Sequence, residues 1–250
     1  MRELSTLLPS EDLLYLGDTA RVPYGTRSAA TVASFAWQDA QFLLGKKVKV
    51  LVVACGTVSS IALGDLQARS PVPVLGIVEP VARAAVAATR NGRVAILGTS
   101  GTVRSGAIAR ELSRLDSRVE VIALACPLLV PLIENGYVHG DQPLLREALK
   151  VYLPPVASSG ADVVILGCTH FPLIAGAIRE VLPGVALVDS GREVARETAR
   201  ILQARSLSCG SGRQGRREYF ITDIIDNFQG QAERFLGRPI QDEIQQVELH

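Results

Sequence analysis

At 250 residues and 48% hydrophobic content, the chain has material for one large domain or two small ones around a sizeable core. Lys plus Arg (26) nearly balance Asp plus Glu (25), so no basic field points to nucleic acid and no acidic excess suggests a solvating tail. The opening MRELSTLLPSED lacks an apolar targeting segment, and no run reaches the roughly 18 apolar residues of a membrane span, which predicts a soluble, cytoplasmic protein.

In chain order, short β-rich runs recur: DLLYLGDT, VKVLVVACGT, PVLGIVEP, RVAILGTSGT, VEVIALACP, DVVILGCTH and VALVDSG. Each is followed by a Gly/Ser/Thr turn and a helical pattern. Runs that are apolar on successive residues, alternating with helices, predict an α/β protein whose mainly parallel sheets are covered on both faces. EPVARAAVAATRNG carries Pro80 near its start and stops at Asn91 and Gly92. SGREVARETARILQA offers Ser190 with Glu193 as a capping box, and Val194, Thr198, Ile201 and Leu202 as one buried stripe. The segment LSCGSGRQGRRE, Leu207 to Glu218, is expected to be a mobile surface loop with solvated arginines.

In parallel sheets the ligand crevice lies beyond the carboxyl ends of the strands. Cys55 and Cys168 both occupy that place, where a helix begins and backbone N–H groups favour a thiolate. VLVVACGTVSSI and VVILGCTHFPLI also share an apolar run, a small residue, a Cys and a nearby Thr. They read as equivalent places in two related halves, or as two ordinary strand-to-helix junctions. Cys126 has only Ala125, Pro127 and Leu128 around it and is expected to pack, while Cys209 lies in the Gly/Ser/Arg loop. The four cysteines form no CxxC pair, which fits neither a disulfide framework nor a zinc site.

His170 suits a general acid/base or substrate contact, the alternative being a hydrogen-bonded structural histidine. His139 and His250 are too distant in sequence to make metal-ligand spacing with it, so no metal is expected. YLGDTARVPYGTRS, with Asp18, Thr19, Arg21, Tyr24 and Gly25, could present N–H groups and a Tyr hydroxyl to a carboxylate, or be a plain connection. LGTSGTVRSG is Gly-rich before a helix, but no GK[ST] follows, so it is expected only to close a βα unit. Lys46, Lys47, Lys49 and Lys150 are badly placed for a pyridoxal phosphate Schiff base, and no cofactor is expected.

Together YLGDTARVPYG, VVACGTVS, GIVEP, AILGTSGTVRSG, ACPLLVPLIENG, LGCTHFPLI, LVDSG and AERFLGRPI resemble the glutamate racemases of the cofactor-independent aspartate/glutamate racemase superfamily. The resemblance implies two similar α/β domains with the active site between them. Their bounds are expected at residues 1–78 plus 190–250 and at 79–189. It implies that Cys55 and Cys168 exchange protons with opposite faces of the substrate α-carbon, because inversion needs a base on each side. Tyr24, Gly25, Gly56, Thr57, Thr169 and His170 are implied to bind glutamate, with Asp18 and Glu134 as supporting acids and Glu134 orienting His170. A role in supplying D-glutamate for bacterial peptidoglycan and a homodimer are implied too. The alternative is a degenerate member that binds an acidic amino acid or a partner with little turnover.

Two departures stand out. Members of the family begin with a strand ending in Asp-Ser-Gly, whereas this chain begins in the following helix, so a gap or an exposed sheet edge is expected. Gly56 stands where the family has Asn, leaving a backbone N–H but no side-chain amide.

Overall fold

The computed structural model describes residues 1–210, 212–224, 228–240 and 242–249. Ser211, in the Gly/Ser/Arg segment, and His250 lie outside the described residues. The strands are β1 (Leu13–Gly17), β2 (Leu51–Val53), β3 (Val74–Gly76), β4 (Arg93–Gly98), β5 (Glu120–Ala125), β6 (Val163–Leu166), β7 (Ala186–Asp189), β8 (Arg217–Ile221) and β9 (Ile244–Gln246). The helices from the N-terminus are α1 (Arg2–Leu7), α2 (Ala29–Gly45), α3 (Gly56–Ile61), α4 (Leu63–Arg69), α5 (Val78–Ala88), α6 (Ser100–Ser105) and α7 (Ala107–Leu115). They continue as α8 (Leu129–Glu134), α9 (Pro143–Tyr152), α10 (Pro154–Ser159), α11 (Ala175–Val181), α12 (Ser190–Ala204) and α13 (Phe228–Leu236). All the runs read as strands from the sequence are strands; β8 and β9 are additional.

Every strand pair is parallel. The central sheet has the order β5-β4-β6-β7. Its successive apolar residues serve opposite faces. Ala95, Leu97, Val164 and Leu166 pack with Leu129, Ile133, Leu149 and Ile178, whereas Val94, Ile96, Val163 and Ile165 pack with Val81, Ala85, Leu112 and Val194. All of β6 is at most 1% exposed, which explains why its run carries no polar alternation.

The remaining strands form a three-stranded sheet, β1-β8-β9, and a two-stranded sheet, β2-β3. Among the described residues β1 and β2 are not bonded to each other, so an edge of each is left without a strand partner. Tyr15 folds along its own strand over Gly17 at this edge and is 36% exposed. The helix α2 buries Val32, Ala36 and Ala40 on the β2-β3 side through Leu51 and Val74, while Phe42 meets Phe220 of β8 edge-on at 5.2 Å.

Two local expectations are corrected. Ser190 is the first helical residue rather than the cap of α12; the Asp189 carboxylate caps it, accepting from the N–H groups of Gly191 (2.8 Å) and Arg192 (3.2 Å). A full negative charge at the helix start outcompetes a neutral hydroxyl. The segment Leu207 to Glu218 is not all loop, since Arg217 and Glu218 open β8, and its arginines pair while staying partly exposed, Arg213 by 45%. Arg213 donates to both oxygens of Asp12 at 2.9 Å, and Arg217 Nη1 donates to the Glu11 carbonyl at 2.6 Å. Pairing of β8 beside β1 causes this, because it draws residues 213–217 along residues 9–12, with Gly215 N donating to the Pro9 carbonyl at 2.9 Å.

The open edge and thin cover of the smaller sheets predict that amides of β1 and β2 exchange with solvent faster than those of β4 and β6 in native-state hydrogen exchange. Equal protection would contradict this order. Replacing Ile165, 0% exposed, by Ala is expected to lower unfolding free energy by about 2–5 kcal/mol in denaturant titration.

Candidate active site

Cys55 follows β2 and stands at the N-cap of α3, while Cys168 follows β6 and Gly167. The two junctions belong to different sheets, yet they touch. A Cβ placed on Gly56 would fall deep inside contact with the Gly167 carbonyl oxygen and 3.1 Å from Thr102 Oγ1. The residue after one thiol therefore abuts the residue before the other, and the nearby Cys168 contributes to raising the Cys55 thiol. At Gly56 the absence of a side chain is a steric requirement of this arrangement.

The two thiols have different surroundings. Withdrawal from water pushes the Cys55 thiol above its ordinary range, against the Val58 and Thr57 N–H groups and the Thr57 hydroxyl, which stabilise the thiolate. Cys168 is 6% exposed and its Sγ lies 3.6 Å from His170 Nδ1. His170 Nε2 in turn lies 2.9 Å from Glu134 Oε1. Burial opposes the charged imidazole, but hydrogen bonds to Cys168 and Glu134 outweigh it and raise its pKa to about 9. The imidazolium can then donate to a thiolate and a carboxylate at once. Phe235 of α13 holds the ring edge-on at 5.0 Å, and Arg234 Nη1 reaches the Ile133 and Glu134 carbonyls at 3.5 Å.

A line of hydroxyls ties the Cys55 side to the central sheet. Thr57 Oγ1 is 2.9 Å from Thr99 Oγ1, which is 3.0 Å from Thr102 Oγ1. Thr99 also caps α6 by accepting from the Thr102 N–H. Gly25 packs against the Thr99 side chain, so Tyr24 and Gly25 join the same cluster. Asp18 is turned inward, accepting from Arg21, Tyr24 and Thr222. Thr169 is exposed beside His170, with Oγ1 3.3 Å from Nδ1.

The chain is similar to known proteins over nearly its whole length. Residues 2–198 match the family model described as Asp/Glu/Hydantoin racemase. The chain belongs to this family. A glutamate racemase of Geobacter metallireducens is 44% identical over 250 residues, covering 100% of this chain and 92% of that one. Among solved structures, a glutamate racemase from Bacillus anthracis superposes with a TM-score of 0.93 at 35% identity, covering 99% of this chain and 91% of that one. One from Francisella tularensis, in complex with D-glutamate, gives 0.91 at 31% identity, with the same coverage of 99% and 91%. The α/β architecture with mainly parallel sheets is that of these racemases.

Of the residues singled out from the sequence, Cys55, Gly56, Thr57, Tyr24 and Gly25 gather at one junction, and Cys168, Thr169, His170 and Glu134 at the other. Cys126 is fully buried, its thiol pushed up to about 12 by burial, as suits packing within the racemase fold. His139 is exposed in its turn. Sequence reasoning overlooked Thr99 and Thr102, taken only as a βα closure, and Asp39 and Phe235, whose helical settings gave no signal.

Gly56→Ala is expected to cost about 1–3 kcal/mol of stability in urea titration, because the Gly167 carbonyl is backbone and cannot swing aside. An unchanged midpoint would refute the contact. The raised His170 pKa stabilises the fold fully below the unfolded value of 6.5, and that contribution is lost as pH rises through about 9. The stability gap between this chain and its Glu134→Gln variant should therefore close above about pH 9.

Proposed function

We propose that this chain is a glutamate racemase, interconverting L- and D-glutamate without a cofactor by a two-thiol mechanism. The observation that carries the reading is the meeting of two strand-end cysteines from separate sheets, one with a His170–Glu134 pair and one without. The reading divides the chain into halves at residues 1–78 plus 190–250 and 79–189, with substrate between them. The curated relatives named glutamate racemase support the substrate.

The mechanism follows from the unequal thiols. In one direction Cys168, beside His170, acts as the base and takes the α-proton; the proton's bond to carbon breaks and the electron pair delocalises into the substrate carboxylate. Cys55, held as a thiol by burial, gives its proton to the opposite face of the carbanion. The configuration inverts, and the protein is left with a Cys168 thiol and a Cys55 thiolate, ready for the reverse direction. Backbone N–H groups of Gly56, Thr57 and Thr169, with the Tyr24–Gly25 turn, bind the carboxylates whose negative charge grows as the proton leaves. Asp18 braces Tyr24, and Glu134 holds His170 charged.

A reducing cytoplasm is the expected setting for a mechanism that needs two thiols. Among the described residues no helix is long and apolar enough to cross a membrane. The product would serve peptidoglycan synthesis, and a homodimer is the expected assembly.

Circular dichroism of either glutamate enantiomer with purified protein tests the activity; unchanged ellipticity with folded protein would favour a binding role without turnover. In D₂O, one deuterium should enter Cα of each product molecule. Cys55→Ser and Cys168→Ser should each lower kcat/KM by about 10²–10⁴-fold, and racemisation surviving both exchanges would eliminate the two-thiol mechanism.

A further inference from the structure

The segment from Asp18 to Ser28 brings Tyr24 and Gly25 to the junction, although little of it is in regular structure. One side chain joins most of its attachments. Arg21 Nε donates to Asp18 Oδ2 at 2.7 Å and Nη2 to Asp39 Oδ1 at 2.9 Å, while Nη1 donates to Gln38 Oε1. Its guanidinium also covers the Phe35 ring, with Cζ 4.2 Å from the centroid. The Tyr24 hydroxyl closes the cluster, donating to Asp18 Oδ2 and lying 3.2 Å from Asp39 Oδ2, and its ring tilts against Phe35 at 5.8 Å. Arg21 thus binds the end of β1 to α2 through two carboxylates that share one tyrosine.

The far side of the loop meets the central sheet's helix α6. A Cβ on Gly101 would lie 3.2 Å from the Gly25 carbonyl oxygen and 2.9 Å from Thr57 Cγ2. Arg104 Nη2 donates to the same Gly25 carbonyl at 3.3 Å. A shift of the loop would therefore be felt at Thr57, two residues from Cys55.

We infer that Arg21 is a positioning residue: by joining the Asp18 and Asp39 carboxylates it fixes Tyr24 and Gly25 against Thr99 and Thr57, without touching substrate itself. The inference rests on the racemase reading for its kinetic consequence. Its physical basis is charge. Asp18, Arg21 and Tyr24 are the titratable groups facing Asp39, and burial followed by the Asp18 charge raises the Asp39 carboxyl to about 7 even beside Arg21. Without the guanidinium, ionised Asp39 repels Asp18 and pushes the loop outward. Protonated Asp39 does not.

The test uses the full chain. Arg21→Met should raise KM for glutamate about tenfold near pH 8.5 and change kcat less than about threefold, since ground-state placement rather than proton transfer is lost. The KM ratio to the parent should fall as pH is lowered from about 8.5 to about 6, because the Asp39 carboxyl, raised further once Arg21 no longer lowers it, is then more completely protonated. Arg21→Lys should recover only part of the loss, lacking the planar fork. Adding Asp39→Asn to Arg21→Met should recover part of the KM loss, because it removes the uncompensated charge but not the missing link to Asp18.

Amide exchange gives a readout that needs no activity: residues 19–27 should exchange faster in Arg21→Met, while α7 is unchanged. An unaltered KM, an equal KM defect at both pH values, or unaltered exchange at residues 19–27 in a folded variant would each overturn the inference. If the parent chain does not racemise glutamate, the functional reading fails, and exchange alone decides the clamp.

Discussion

The contact between Gly56 and the Gly167 carbonyl is the constraint around which this molecule is arranged. Each glycine adjoins a cysteine at the end of a parallel strand, and the strands belong to different sheets. Parallel sheets end their strands in short turns that lead into covering helices, so two such sheets facing one another bring two turns together. A side chain at position 56 would wedge them apart. The close approach also explains why Thr57, Thr99 and Thr102 can form one hydroxyl line across the junction, and why Gly25 and Gly101 pack there without side chains.

Proximity alone would make the two thiols equivalent; their neighbours do not. On one side His170 and Glu134 form a charged relay to Cys168, steadied by Phe235 and Arg234 from α13. On the other, burial keeps Cys55 protonated, countered by N–H groups and a hydroxyl. The two thiols thus meet at one junction in unlike surroundings. The Asp18 carboxylate is spent on Arg21, Tyr24 and Thr222 and anchors the loop that carries Tyr24 and Gly25.

The smaller sheets set the contrast in robustness. The central sheet is covered on both faces by dense apolar packing, whereas β1 and β2 each lack a neighbour on one edge among the described residues. Cys55 is carried by the thinner part and Cys168 by the thicker one, so the first thiol is the one whose place depends on loop contacts. Gly56 and the open strand edges fall on the same side, and the His170–Glu134 pair lies on the other.

The sequence by itself determined the strands of the central sheet, because successive apolar residues buried on both faces leave an unmistakable run, and it marked Cys55, Cys168, Tyr24, Thr57 and His170 through their strand-end and turn positions. It could not reveal β8, β9 or the pairing of Arg213 and Arg217, since a Gly/Ser/Arg composition looks solvated until a distant strand draws it against residues 9–12. Nor could it reveal that Ser190 yields its capping place to Asp189. Tertiary structure alone decided that Gly56 faces the Gly167 carbonyl, that Arg21 meets Asp39, and that Phe235 reaches His170. Periodicity is a local property written along the chain, whereas these contacts join residues far apart in it and exist only once packed sheets bring their ends together.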